Sequence, residues 1–502
     1  MGELLGTVIS KDTNPNSSEF AFVITNNKAR KGQFVMLDTA EGKMIARISD
    51  IIKTNRYFER AESVQEFERA GKSLTELFPA DRWEYLVGEA VTLGVYSEEK
   101  LMRSSFPASP GTKVHMAEND ILSNFFGLDG NKGLEIGKVE YHDLPVKINM
   151  TKLFQKHLAI LAMSGAGKSY LTSVLMEELM ERQAEHGQMA VIVIDTHGEY
   201  VGFAEDPKYR DNADIVLGKD FKIGVPHISA NTIAQFIPSM SSVQKRELTR
   251  LLSSMYAEKK GQTFNLKDVL DYIDESDTKS TTKGILYTLL LSLHQTRLFG
   301  NYDNPPLDKI AKPGHMTIID ISDMVNLRNK QMVVTYLSTK LFEARRANKI
   351  PPYVLVIEEA HNFAPEGIRA EGAISKRIIE KIAREGRKFN SCLCLISQRP
   401  INLSTTALSQ CNTHMILRVN NPYDLKHIGE SSEGVTSDVL KTISSLRVGE
   451  ALIVGEAVNY PLFLKVRKRK SKKNERGTAL EEACLNFRKQ EKLKDEDLQA
   501  FI

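Results

Sequence analysis

The chain has 502 residues, more than one hydrophobic core usually serves, so we expect at least two domains. A composition of 41% hydrophobic and 26% charged residues is ordinary for a globular protein. The sequence shows neither a signal peptide nor an apolar run near the roughly 18 residues that cross a bilayer, and we therefore predict a cytoplasmic location. The formal net charge of +3 excludes a strongly basic molecule, and four cysteines exclude a disulfide framework.

The first part of the chain predicts β structure. Short apolar segments alternate there with turn signals such as Asn14-Pro15-Asn16-Ser17, which is the pattern of strands joined by tight turns. The predicted strands are 3–10, 20–25, 33–38, 43–52 and 90–96, with a more helical stretch at 62–78. We therefore predict a small β-barrel over residues 1–106. The stretch Pro107–Gly111 predicts a linker over 107–133.

From residue 134 onward, continuous apolar runs replace the alternation. They lie at 157–163, 189–194, 316–321, 353–357 and 392–396, each flanked by helical stretches. This pattern predicts a parallel sheet covered on both faces, built from residues 134–228 and 299–466. Residues 229–298 are helical throughout and predict an inserted bundle, with Leu286 to Leu293 in its core. Cys392 and Cys394 would share one face of a strand; we favour buried cysteines over a metal pair, because no second Cys or His pair lies at ligand spacing.

The segment from 467 to 502 is predicted to be a charged C-terminal tail. Its start overlaps Lys465 to Lys473, where seven of nine residues are basic. Such a run is either a solvated extension or an arm that binds phosphate groups or a partner. Both interpretations are open at the level of the sequence.

A glycine-rich loop joins the first core strand to a helix. Gly165 and Gly167 allow successive backbone N–H groups to point at phosphate oxygens, Lys168 neutralises β/γ-phosphate charge, and the Ser169 hydroxyl ligates Mg²⁺. Ala162 stands where the general pattern has its first glycine, which puts nucleotide affinity in question more than function. The sequence thus predicts an ATP site with Mg²⁺. Its predicted loop residues are Ser164, Gly165, Ala166, Gly167, Lys168, Ser169 and Tyr170.

Two glutamates follow the predicted strand at 353–357. Adjacent side chains in a strand diverge, so Glu358 can belong to the Mg²⁺ shell, through water, while Glu359 polarises the attacking water as general base. The alternative, two surface glutamates at a strand end, is disfavoured by the neighbouring Lys168 loop. Gln398, at the tip of the strand at 392–396, is a candidate γ-phosphate sensor; an ordinary polar strand end is the alternative.

Two further motifs allow more than one interpretation. Asp195 begins a segment, Asp195-Thr-His-Gly-Glu199, that could form a metal triad; we favour a network around the nucleotide, because strand carboxyl ends converge on the ligand crevice of such sheets. Arg377 and Arg384, seven residues apart, share one face of a helix whose other face is apolar. That face is either a solvated basic surface or, in a ring ATPase, one that projects an arginine into the neighbour's site.

Taken together, these motifs resemble the HerA branch of the HerA/FtsK ATPases. The matching stretches keep the same order along nearly the whole chain: 157–162 with 165–169, then 195–200, 357–361, 382–389, 396–400 and 448–453. The resemblance implies a hexameric ring with a RecA-like P-loop core, a HAS-barrel-like N-terminal domain that helps assemble the ring, and a helical insertion. It also implies ATP-driven translocation on duplex DNA, with a NurA-like nuclease as partner in end resection.

The resemblance also implies roles for individual residues. Arg384 corresponds to a trans-acting arginine finger. The family commonly has Arg before its motif histidine; here Lys156 stands there, a nucleotide-contact candidate that supplies a point charge without a bidentate fork. Stretches 200–209 and 363–375 are candidate DNA-contacting pore loops, with Arg369 the candidate contact in the second.

Two other functions stay open. The chain could be an ATP-binding ring scaffold that assembles an effector, for example in anti-phage defence, although the set Lys168, Glu358, Glu359 and Arg384 argues against it, since a scaffold needs no general base. It could also be a conjugation or secretion motor of the same superfamily. Those motors usually have membrane segments or membrane-anchored partners, and this sequence shows no transmembrane run.

Overall fold

The computed structural model describes residues 2–10, 14–55, 58, 61–69, 84–97, 100–259, 261–367, 372–432, 434–473 and five residues between 481 and 488. The chain divides into two compact units. The first contains Met1–Asn149 with Val458–Lys465, and the second contains Met150–Ala457 with Val466–Ile502. The first unit therefore extends past the predicted end of the barrel, and the core boundary predicted at residue 134 lies inside it.

A closed six-stranded barrel forms most of the first unit, as predicted. The elements of this region are β1 (Leu4–Ile9), β2 (Glu19–Ile24), β3 (Phe34–Thr39), β4 (Gly42–Asn55), α1 (Ala61–Arg69), β5 (Glu84–Ser97), β6 (Lys100–Met102) and β7 (Lys113–Met116). Antiparallel pairing runs β1, β2, β5, β4, β3, β7 and back to β1. Alternating side chains fill the interior with aliphatic and aromatic groups, among them Leu5, Phe22 and Val35. Of the predicted helical stretch, residues 70–78 lie outside the described residues.

Residues 107–133, predicted as a linker, contain structured elements, so that prediction is wrong. β7 closes the barrel, and helix α2 (Asn119–Phe126) follows it. Phe125 and Phe126 of this helix pack against Phe34, with ring centroids 6.4 and 5.1 Å apart. A four-residue strand beside a Pro/Gly segment is too short to show a periodic signal. Next come the antiparallel pair β8 (Leu134–Val139) and β9 (Pro145–Ile148), and β20 (Leu462–Val466) lies near the end of the described chain.

The second unit contains the predicted parallel sheet. Its strands are β10 (Leu158–Leu161), β11 (Ala190–Asp195), β12 (Ala213–Leu217), β15 (Met316–Asp320), β16 (Tyr353–Ile357), β17 (Ser391–Ser397), β18 (Thr413–Ile416) and β19 (Glu450–Gly455). They lie in the order β12, β15, β11, β16, β17, β10, β18, β19, and all neighbours are parallel except β19. The central strands are buried throughout, which explains their unbroken apolar sequences. The carboxyl ends of β10, β17 and β16 therefore lie side by side at one edge.

Helices flank this sheet in the second unit. They are α3 (Met150–Phe154), α4 (Lys168–Met180), α5 (Gly202–Glu205), α10 (Leu307–Ile310), α11 (Leu327–Arg346), α12 (Lys376–Glu385), α13 (Thr405–Ser409), α14 (Pro422–Ser431) and α15 (Ser437–Ser445). Helix α12 has the strongest contrast between its faces: Ile379, Ile382 and Ala383 are buried, whereas Arg377 and Arg384 are exposed.

The predicted helical insertion is also present in the second unit. It consists of α6 (Ala230–Phe236), α7 (Ser242–Glu258), α8 (Leu266–Glu275) and α9 (Ser280–His294), bordered by the short parallel pair β13 (Ile223–Gly224) and β14 (Phe299–Gly300). Ser241 with Gln244 and Asn265 with Asp268 form capping boxes, which fix where α7 and α8 begin. Leu286, Leu290 and Leu293 are buried, as predicted for the core of the insertion.

The described start of the C-terminal tail packs on α4. We call residues 467–472 the strap. Its acceptor is Glu177, a fully buried carboxylate that takes hydrogen bonds from Arg467, from two backbone N–H groups and from the Ser471 hydroxyl, at 2.7 to 2.8 Å. In this part of the tail Arg467 and Lys470 are therefore used within the chain, and residues beyond it lie mostly outside the described range. Searching the described helices for a membrane-crossing segment finds none of sufficient length and apolarity.

Candidate nucleotide site

The glycine-rich loop has the geometry its sequence predicts. It leaves β10 and enters α4 with Gly165 at φ +74° and Gly167 at φ +99°, a backbone conformation that favours glycine. Ala162 is fully buried, and its N–H donates to the Ser397 carbonyl at 3.2 Å, so the alanine at the first-glycine place fits without exposing its methyl group. Ser164 and Gly165 are exposed at the tip. The loop can therefore present its N–H groups to an anion at the N-terminus of α4.

Three strand ends bring Lys168, Glu359 and Gln398 together. The Lys168 ammonium lies 3.5 Å from Glu359 Oε1, and both side chains are more than nine-tenths buried. The Gln398 amide donates to the same carboxylate oxygen, and His361 Nδ1 lies 3.4 Å from the other one. Glu359 has φ +48°, in the left-handed region, which turns its side chain away from the direction of Glu358. The arrangement holds one carboxylate in a fixed orientation beside a cation and an amide.

Glu358 lies in a different environment from Glu359. Its Oε2 accepts hydrogen bonds from Thr196 N at 3.0 Å and from Thr196 Oγ1 at 2.9 Å, and the side chain is almost fully buried. Burial, together with the nearby carboxylates Asp195 and Glu199, raises the pKa of Glu358 to about 9. The two adjacent glutamates therefore lie in different chemical environments.

Asp195 organises the loop that follows β11. Its Oδ1 accepts from the N–H groups of residues 197, 198 and 199, and its Oδ2 accepts from Tyr200 N at 2.9 Å. This loop places Glu199 where its carboxylate accepts a hydrogen bond from the Ser169 hydroxyl. Asp195 therefore acts on the site through the loop, and a direct nucleotide contact by it stays a prediction.

The remaining residues predicted for the site lie at different places relative to the glycine-rich loop. Tyr170 lies in the first turn of α4, partly exposed, and its hydroxyl accepts from Arg469 N at 2.7 Å. Lys156 precedes β10, at the end of the strand opposite the glycine-rich loop, and its ammonium pairs with Glu456 at 2.5 Å. A nucleotide contact by Lys156 stays a prediction. Arg369 lies outside the described residues.

Arg384 lies at the end of α12 with its side chain 53% exposed. Its nearest carboxylate is Glu380 on the same helix, at 3.9 Å, a weak contact for an exposed pair. Within one chain this guanidinium has no strong partner among the described residues. It is therefore available to a neighbouring molecule.

His157 was not predicted as a site residue, although it opens the first matching motif. Its Nδ1 accepts from Leu393 N at 3.0 Å and its Nε2 donates to the Ala383 carbonyl at 3.0 Å, so the neutral ring joins β17 to the last turn of α12. Burial lowers the pKa of His157 to about 4. A side chain at Gly386 would come 2.4 Å from the Ser391 carbonyl and 3.1 Å from this ring. The histidine thus fixes the backbone next to Arg384.

The sequence left two metal sites open as alternatives, one in the segment from Asp195 to Glu199 and one at Cys392 and Cys394. Neither is found in the described part of the chain. No group of three or more His, Cys, Asp or Glu side chains is gathered there as a metal site, including Asp195, His197 and Glu199. Cys392 and Cys394 are buried free cysteines in β17. What the site offers near the loop is oxygen: the Ser169 hydroxyl, the Glu358 carboxylate and the Glu199 carboxylate.

Comparisons with known proteins show which proteins this chain is similar to. Residues 134–341 match the family model described as the central domain of helicase HerA. The chain is 29% identical to the DNA double-strand break repair helicase HerA of Pyrococcus furiosus, over 95% of this chain and 93% of that one. It is 28% identical to a probable helicase of Methanocaldococcus jannaschii, over 87% and 86%. The fold matches VirB4 of Thermoanaerobacter pseudethanolicus with a TM-score of 0.53 at 17% identity, over 68% of this chain and 98% of that one.

Proposed function

We propose that this chain is a HerA-type P-loop ATPase and works as an ATP-driven translocase on double-stranded DNA. The observation that carries the proposal is the cluster at the strand ends, where Glu359 is held between Lys168 and Gln398. A scaffold that only binds nucleotide needs the glycine-rich loop but no carboxylate fixed beside it. The names of the relatives, which are repair helicases, support duplex DNA as the track.

The chemistry follows from the roles of these side chains. ATP binds with its β- and γ-phosphates in the loop from Ser164 to Tyr170, where backbone N–H groups and the Lys168 ammonium balance their charge. Glu359 orients the attacking water and takes its proton as the oxygen bonds to the γ-phosphorus and ADP leaves. Gln398, on the neighbouring strand, contacts the γ-phosphate and reports its presence to Glu359 through their hydrogen bond.

The oxygen donors of the site suit Mg²⁺. This ion favours hard oxygen ligands and usually keeps several waters, so one hydroxyl and one carboxylate with phosphate oxygens are sufficient. Ser169 and Glu358 would hold it, Glu358 through water, and bound Mg²⁺ would neutralise phosphate charge. Burial raises the pKa of Glu358, and bound Mg²⁺ would favour its ionised form.

The translocase would work as a homo-hexameric ring. Arg384, exposed at the end of α12, would enter the neighbour's site and stabilise transition-state charge. A NurA-like nuclease is the partner we propose for DNA end resection, in line with the repair helicases among the relatives. Cytoplasmic location is part of the same proposal.

ATP turnover with and without linear duplex DNA tests the proposal. We expect duplex to stimulate the wild type, and Glu359→Gln to lower turnover by about 10²–10⁴-fold because the variant cannot accept the proton of water. Glu185→Gln, an exposed glutamate outside the site, is the matched control and should behave as the wild type. Turnover that ignores duplex would refute the translocase, and full activity of Glu359→Gln would refute the general base.

A further inference from the structure

A cavity of about 670 Å³ lies in the second unit between the helical insertion and the helix that bears Arg384. We call it the α7–α12 groove. Its floor is largely apolar, with Phe342 and Ile378, and residues of α6, α7, α11 and α12 line it. Its charged lining residues are Lys245, Arg377, Lys381 and Glu343. Among the described lining residues, three cations thus face one carboxylate.

The cations of the groove are not neutralised by the described part of the chain. Nearby Lys376 and Arg384 pair with Glu380, whereas no described carboxylate forms an ion pair with Lys245, Arg377 or Lys381. The Lys381 ammonium lies over the Phe342 ring, 5.6 Å from its centre, in a cation–π contact within the groove. The groove therefore presents positive charge to whatever approaches it.

The groove continues toward the catalytic carboxylate. A second cavity of about 690 Å³ shares Pro238, Ala373 and Ile374 with it and is also lined by His361 and Asn362. Gln331 of α11 donates to the Asn362 carbonyl at 2.8 Å, and His361 lies 3.4 Å from Glu359. An occupant of the two cavities would contact the backbone two and three residues after Glu359.

From these features we propose that the α7–α12 groove binds the phosphate backbone of duplex DNA, with Lys245 and Arg377 as the principal contacts. The proposal rests on the translocase function, and it identifies the surface that contacts the DNA along which the protein moves. Long cationic side chains at a rim suit backbone phosphates, whose recognition is electrostatic and independent of sequence. The position of the groove beside His361 and Asn362 gives DNA binding a direct route to the hydrolytic site.

The test is binding of a fluorescein-labelled linear duplex to the full chain over a series of salt concentrations, together with ATP turnover. For Lys245→Gln/Arg377→Gln we expect unchanged turnover without DNA, weaker duplex binding, and a slope of log affinity against log salt smaller by about 1 for each lost phosphate contact. Glu343→Gln removes the one carboxylate among the described lining residues and should strengthen binding. Lys279→Gln/Lys309→Gln, on exposed lysines outside the groove, is the charge-matched control.

The outcomes separate this proposal from the proposed function. If the wild type neither binds duplex nor responds to it, the translocase itself fails. If duplex stimulates the wild type and the groove variant alike, with equal salt slopes, the groove is not the DNA contact. If the groove variant binds duplex as the wild type does but no longer binds a poly-glutamate peptide, the proposal is overturned. The groove would then bind an acidic protein segment.

Discussion

At the scale of single residues, the site depends on buried polar side chains that lie in different environments. Glu359 and Glu358 are neighbours in sequence, yet one faces Lys168 and the other Thr196, because the left-handed turn at Glu359 separates them. His157 is a third buried group, and its ring is neutral. Its hydrogen bonds require one nitrogen to accept and the other to donate, which only the neutral ring can do.

His157 predicts a loss of stability in acid. Its pKa is about 4 in the folded chain and about 6.5 when exposed, so the unfolded state binds more protons between these values. The stabilisation is complete above pH 6.5 and declines as pH falls toward 4, by about 3 kcal/mol for this single group. Urea unfolding of the wild type and His157→Gln across this range measures it. The difference between the two proteins should shrink as pH falls; a constant difference would contradict the assignment.

At the scale of elements, the strap and α4 form one structural unit. Glu177 lies on the same face of the helix as Tyr170 and Glu181, and all three contact residues 467–472. The guanidinium of Arg467 also reaches Glu178 at 2.8 Å and the Val174 carbonyl at 3.4 Å. The helix that begins at the phosphate loop is therefore held along one side by chain that follows β20.

Loss of Arg467 should destabilise the second unit. Arg467→Ala leaves Glu177 as a buried carboxylate without its cation, and breaking such a pair typically costs about 3–5 kcal/mol. Thermal unfolding of the variant measures the change, with Lys468→Ala, on an exposed neighbour, as the control. Adding Glu177→Gln to Arg467→Ala should recover part of the loss. If Arg467→Ala unfolds like the wild type, the pair is not stabilising.

The features that could be predicted from the sequence are those that depend on residues close together along the chain. The parallel strands, the glycine-rich loop and the two glutamates were predictable because each produces its own local pattern. β7 was missed because four residues beside a proline-rich stretch show no period. The pairing of His157 with Leu393 and Ala383 spans more than 220 residues, and that of Glu177 with the strap spans about 290, so no local pattern indicates either one.

At the scale of the whole molecule, Arg384 raises the question of whether the catalytic site is shared between copies. It is half-exposed and its only described charge partner is on its own helix, so the role proposed for it, an arginine finger, needs a neighbour. If it completes the next subunit's site, neither Arg384→Ala nor Glu359→Gln can hydrolyse ATP alone. The Arg384→Ala variant nevertheless keeps Glu359, and the Glu359→Gln variant keeps Arg384.

Mixing the two inactive variants tests this sharing. In rings assembled at random from equal amounts, about a quarter of the sites combine an intact Glu359 with a neighbour's intact Arg384, so turnover should return to about that fraction if sites act independently. Light scattering on the same samples checks that rings form. Rings that stay inactive after mixing, or Arg384→Ala rings that are active alone, would contradict a finger supplied in trans.

The strap also has a consequence for synthesis of the chain. The glycine-rich loop and α4 leave the ribosome some 290 residues before Arg467, Lys470 and Ser471. Until those residues emerge, Glu177 has none of the donors that surround it in the finished fold, and α4 must expose this carboxylate to water or to a chaperone. The nucleotide-binding helix would therefore reach its final packing only after nearly all of the ATPase unit has been made. A nascent chain that stops before residue 467 should be a poor ATP binder even though its phosphate loop is complete.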